Sequence, residues 1–96
     1  MRIFNEHNRA LYIDKEKVLD TQYALSEIEE VVFSPKVKYL GNRAFFHCTR
    51  LNKVVFEGNT VEMGYECFSE CESLKSINLP RMTHIPFRCL TFQKFR

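Results

Sequence analysis

The side chains that could do chemistry here are four cysteines, Cys48, Cys67, Cys71 and Cys89, and three histidines, His7, His47 and His84. Four thiols can pair as disulfides, hold a zinc ion or supply a nucleophile. Disulfides fit the even count but belong to secreted domains. The start, Met1-Arg2-Ile3-Phe4-Asn5-Glu6-His7-Asn8-Arg9, carries charges where the apolar core of a secretion signal would lie. Zinc wants its ligands as two close pairs. Only Cys67 and Cys71 are close, and their spacing of four is not the usual CxxC. A Cys–His pair would be His47 beside Cys48, but adjacent residues usually face apart. His84 and His7 have no second histidine placed to share a metal with a carboxylate, and the three glycines are too scattered for a phosphate loop. The sequence therefore predicts no catalytic residues, no metal and no cofactor.

The positions of the cysteines within the chain suggest another role. Leu40-Gly41-Asn42-Arg43-Ala44-Phe45-Phe46-His47-Cys48-Thr49-Arg50-Leu51 recurs 23 residues on, as Met63-Gly64-Tyr65-Glu66-Cys67-Phe68-Ser69-Glu70-Cys71-Glu72-Ser73-Leu74. A third copy begins at Ile85-Pro86-Phe87-Arg88-Cys89-Leu90. Cys48 and Cys71 share one place in the repeat. Cys67 and Cys89 share another, where the first copy has Ala44, so a small apolar group is what that place requires. The thiols read as two buried ladders, since free cysteine behaves as a small hydrophobe. A period in this range means stacked coils rather than one closed core.

The elements that position these ladders are also repeated. Ile28-Glu29-Glu30-Val31-Val32-Phe33, Leu51-Asn52-Lys53-Val54-Val55-Phe56 and Leu74-Lys75-Ser76-Ile77-Asn78-Leu79 are spaced by 23, and their last positions alternate like half-buried strands. Turns follow at Ser34-Pro35-Lys36, Glu57-Gly58-Asn59 and Pro80-Arg81. Second short strands follow at Val37–Leu40, Val61–Met63 and Met82–Ile85. Ile28, Leu51, Leu74, then Val31, Val54, Ile77, then Phe33, Phe56, Leu79 are expected to point inward.

The pattern Leu-Gly-x-x-Ala-Phe-x-x-Cys-x-x-Leu-x-x-Val-x-Phe resembles the BspA-type leucine-rich repeat, over about residues 28–96. The resemblance implies a mainly β, right-handed solenoid of about three coils with parallel strands. It also implies a scaffold for adhesion and protein contacts, often at the cell surface. Residues 1–27 do not fit the repeat and are expected to be an N-terminal cap. Two strands around a polar turn (Arg2–Phe4 and Ala10–Ile13) open it, and a short helix is weighed over Lys15–Glu27. The whole is a single domain, 1–27 cap and 28–96 repeats. Its 45% apolar content suits an ordered fold.

Binding surfaces follow from the outward positions. Glu30, Lys53 and Ser76 form one row, and Val32, Val55 and Asn78 the next. Phe46, equivalent to Ser69, is a further outward contact candidate. Residues 73–96 carry five basic and no acidic side chains, whereas 1–30 carry four basic and seven acidic. The C-terminal set Arg81, Phe87, Arg88, Phe92, Lys94, Phe95 and Arg96 suggests self-association, as a homodimer or head to tail. As a nucleic-acid surface the same set is the weaker reading, because no known binding fold accompanies it. No apolar run is long enough to span a membrane. The expected function is non-catalytic binding of another protein, as an inhibitor or adaptor. The alternative is an adhesion fragment of a cell-surface protein. As written the chain is expected in the cytoplasm, and at the cell surface if excised from a longer one.

Overall fold

The structure is a computed structural model and describes residues 2–5, 9–75 and 77–80. Among the described residues seven strands run in the order β1 Arg2–Asn5, β2 Ala10–Ile13, β3 Lys17–Val18, β4 Glu30–Phe33, β5 Tyr39–Leu40, β6 Lys53–Phe56 and β7 Glu62–Met63. They form two sheets. Sheet A has the order β1-β2-β4-β6 and sheet B the order β3-β5-β7. All pairs are parallel except β1 with β2, which closes an antiparallel hairpin over one end of sheet A. The chain thus circles from sheet A to sheet B and back once per repeat. The strand register aligns Val31 with Val54 and Phe33 with Phe56, as the 23-residue spacing requires.

Two differences from the expected plan stand out. The described residues contain no helix. Over 15–27 the chain forms β3 and then tight turns, with Thr21 and Leu25 at positive φ (54° and 62°), which no α-helix tolerates. That segment follows the same backbone plan as the later coils. β2 pairs in parallel with β4, and β3 with β5. The third strand, expected over 74–79, is not paired in a ladder at its described positions. Pro80 removes one of the bonds such a ladder would use. Ser34 N–H donates to Ile13 O and Glu57 N–H donates to Phe33 O, both at 2.9 Å. The equivalent residue one coil on is Pro80, which has no N–H to offer Phe56 O.

Between sheet B and the next strand of sheet A, the chain makes a stack of tight turns. Thr21, Tyr23 and Leu25 N–H donate to Asn42, Ala44 and Phe46 O at 2.9–3.0 Å. Arg43, Phe45 and His47 N–H donate to Tyr65, Cys67 and Ser69 O at 2.8–3.0 Å. Each coil holds two residues at positive φ, four apart: Thr21 and Leu25, Arg43 and His47, Glu66 and Glu70. None is glycine, and each costs about 1–2 kcal/mol in local backbone strain. The inter-coil bonds, each about 0.5–1.5 kcal/mol net, offset that strain. Side chains reinforce the stack: Asp20 Oδ1 accepts from Asn42 N–H at 2.9 Å, and Asn42 Oδ1 accepts from Tyr65 N–H at 3.0 Å. Gly41 and Gly64 are required by space and not by φ. A Cβ would lie 2.5 Å from Asp20 N at the first and 2.5 Å from Asn42 N at the second.

The interior follows the expected ladders. Ile28, Leu51, Leu74, Val31 and Phe33 are buried, as are Ala44 and Cys67 in the small-residue column. Ile77 and Leu79 pack against the core from its edge. Tyr23, Phe45 and Phe68 stack at centroid distances of 5.2 and 5.4 Å. Phe33 stacks on Phe56 at 4.8 Å and meets Phe45 edge-on at 5.6 Å. Each aromatic pair adds about 0.5–1.5 kcal/mol beyond its burial.

Candidate binding face

The outward side chains of sheet A alternate with the buried ones, because successive residues of a strand point to opposite faces. Leu11, Ile13, Val31, Phe33 and Val54 are buried; Tyr12, Val32 and Val55, between them in sequence, are half-buried. The register sets Ala10, Glu30 and Lys53 in one row and Tyr12, Val32 and Val55 in the next. The structure therefore brings together four of the expected contacts. Lys53 Nζ lies 3.9 Å from Glu30 Oε2, a surface ion pair worth up to about 1 kcal/mol. Asn78 is exposed but outside any ladder. Ser76, Arg81, Phe87, Arg88, Phe92, Lys94, Phe95 and Arg96 lie outside the described residues, as does Cys89.

Tyr12 was not among the expected contacts. It takes the place of Val32 one coil earlier, and its hydroxyl donates to Glu57 Oε1 at 3.2 Å. Its phenol is held above the ordinary tyrosine value, first by removal from water and then by the Glu57 carboxylate. The outer face thus carries a phenol and two β-branched side chains in a line, flanked by the Glu30–Lys53 pair. Such a surface offers apolar contact area with fixed polar edges and presents no nucleophile to a substrate.

Phe46 belongs to the turn stack and not to this face. It is half-buried, with the Arg43 guanidinium 5.6 Å from its ring centroid and the His47 ring at 6.0 Å. Arg43 in turn pairs with Glu66 of the next coil. Tyr39 and Tyr65 are exposed, at 41% and 49%.

Cys48, Cys67 and Cys71 are free thiols and buried. The Cys48 S–H donates to Tyr23 O at 3.1 Å and the Cys71 S–H to Phe45 O at 3.2 Å, so each thiol bonds the coil before its own. Ser26 fills the same column in the first coil, with its Oγ 3.5 Å from Cys48 Sγ. Cys71 is pushed above the usual thiol value, by its hydrogen bond with Cys48 and then by burial. The thiols hold neighbouring turns together.

Solved structures share this architecture. A leucine-rich repeat protein from Bacteroides capillosus ATCC 29799 superposes with a TM-score of 0.69 at 23% identity, over 91% of this chain and 64% of that one. The leucine-rich repeat protein TpLRR of T. pallidum superposes with a TM-score of 0.62 at 17% identity, over 84% of this chain and 47% of that one. At these identities the likeness is one of fold. The chain spans about two thirds and about half of their lengths. No curated protein matches the chain. A family model described as the BspA type leucine rich repeat region (6 copies) matches residues 16–95, starting within the coil that carries β3. By that match over most of its length, the chain belongs to the BspA-type leucine-rich-repeat family.

Proposed function

We propose that the chain is a protein-binding module that contacts its partner through the outer face of sheet A. The family suggests protein contact or adhesion and is typically a non-enzymatic scaffold. The observation that carries the choice of face is the register that lines up Tyr12, Val32 and Val55 beside the Glu30–Lys53 pair. Aromatic and β-branched side chains on a rigid sheet lose little freedom on binding, and a polar rim fixes orientation. Acting as a small inhibitor or adaptor, the module would cover the working surface of a larger protein. The shorter span relative to both solved neighbours favours a second reading, in which the coils are part of a longer adhesive protein.

The test begins with capture of partners from native lysate by the purified chain, followed by titration of the recovered protein. Val32→Glu with Val55→Glu is expected to weaken binding by roughly tenfold or more, as the loss of a central apolar contact does. Phe46→Ser is expected to leave it within about twofold. If the double variant binds like the parent, this face is not the contact surface. A recovered partner that is a membrane-anchored surface protein points to adhesion, and a soluble enzyme to inhibition.

A further inference from the structure

The two sheets end differently at the N-terminal side. Sheet A is covered there by β1, whereas no described strand covers β3 of sheet B. In the next coil, the groups facing this direction are all engaged: Tyr39 N–H reaches Glu16 O, Gly41 N–H reaches Val18 O, and Ala44 and Phe46 O receive Tyr23 and Leu25 N–H. In the first coil two of the equivalent groups are sealed by side chains. Gln22 Oε1 accepts from Leu19 N–H at 2.9 Å, and the Thr21 hydroxyl donates to Asp20 O at 2.6 Å. The N–H and C=O of Lys17 and the carbonyls of Gln22 and Ala24 have no hydrogen-bond partner among the described residues. This half-sealed edge borders an open groove of about 740 Å³ lined by Glu16, Lys17, Val18, Leu19, Asp20 and Tyr39.

The side chains at this edge also depart from the repeat. Where later coils carry Gly41 and Gly64, the first carries Leu19; where they carry His47 and Glu70, it carries Leu25. Both leucines are largely exposed, at 59% and 68%. Leu25 stands there despite its positive φ, which disfavours a branched side chain. Unpaired backbone groups, an open groove and two exposed leucines together match the way an added strand docks on a sheet edge.

Charge selects the occupant. At the groove Glu16 and Asp20 stand against Lys17, whereas residues 81–96 hold four basic and no acidic side chains, interleaved with Phe87, Phe92 and Phe95. The segment Ile85–Leu90 also follows the repeat pattern in sequence. We infer that the open edge of β3, with Leu19 and Leu25, is the docking site for the basic C-terminal segment, residues 81–96, of a second copy of this chain, head to tail. Such a contact joins unlike surfaces and does not close on itself, so it grows into open chains. Opposite charges at exposed positions make it weaker at high salt.

Sedimentation of the full chain over a range of concentration and salt tests this. The average mass is expected to rise past that of a dimer without a plateau, and to fall when salt is added. Leu19→Asn with Leu25→Asp puts at position 25 a residue that its left-handed backbone accepts. It is expected to weaken association roughly tenfold or more, with circular dichroism and melting unchanged. Arg88→Glu with Lys94→Glu is expected to do the same. Mixing the two variants should restore a heterodimer, because one keeps an intact C-terminal segment and the other an intact first coil. A chain that stays monomeric to millimolar concentration, a mass that stops at the dimer, leucine variants that associate like the parent, or a mixture that fails to pair would each overturn the inference.

Discussion

Phe45 is stacked between Tyr23 and Phe68 and met edge-on by Phe33, so three coils depend on one ring. Phe45→Ala is expected to lower unfolding stability by about 3–5 kcal/mol, a large part of the roughly 5–15 kcal/mol a domain has. Cys67→Ala in the adjacent small-residue column should cost no more than about 1 kcal/mol, because Ala44 already fills that place one coil earlier. Denaturant titration of the two variants compares them directly. Asp14 offers a pH test. The buried Ser34 hydroxyl donates to its carboxylate and holds it below the usual aspartate value, with Lys36 adding a smaller attraction against the effect of burial. A carboxyl depressed in the folded state stabilises above its unfolded value, and that contribution fades as pH falls through the folded one. In Ser34→Ala the Asp14 titration, followed by NMR, is expected to move upward. An unmoved titration would mean that Ser34 does not set it.

At the scale of elements, consecutive turns approach each other closely at Gly41 and Gly64. Gly64→Ala forces a methyl group against the Asn42 backbone and is expected to cost about 1–3 kcal/mol, as overpacking does. Gly58→Ala, whose nearest neighbour would be Pro35 Cα at 3.2 Å, should change stability by less than about 1 kcal/mol. Thermal melts of the pair would decide whether the coils are as tightly stacked as described. Pro80→Thr restores the missing donor opposite Phe56 O. It is expected to extend sheet A, seen as slowed hydrogen exchange of the residue-80 amide. The coils from Ile28 onward could be read in the sequence because equivalent side chains recur at a fixed interval, Leu51 to Leu74 and Phe33 to Phe56. The first coil could not. Its strand β2 lies only 20 residues before β4, and Leu19, Gln22 and Ser26 replace the glycine, small residue and cysteine of the later copies. There the pattern survives only in the backbone hydrogen bonds, which composition does not reveal. Tyr12 was missed for the same reason, and the helix weighed over 15–27 reflects the spacing of Val18, Leu19, Tyr23 and Leu25, of which the first and third are buried and the other two exposed.

The molecule as a whole is a stack in which each coil touches only its neighbours. Burial falls along the phenylalanine column, from Phe33, wholly buried, to the half-buried Phe56 and Leu79. The interior coil around β4 and β5 is therefore expected to be the last to open, with amides of Val31 and Phe45 exchanging more slowly than those of Val18 or Leu74. Because β4 to β6 and β5 to β7 repeat at one interval, every donor of a middle turn finds its acceptor at the same offset. Molecular length is in consequence quantised. Duplicating one complete 23-residue unit would lengthen the rod by a single layer and leave all existing bonds matched, whereas adding a few residues more or fewer would shear every layer beyond the insertion out of alignment.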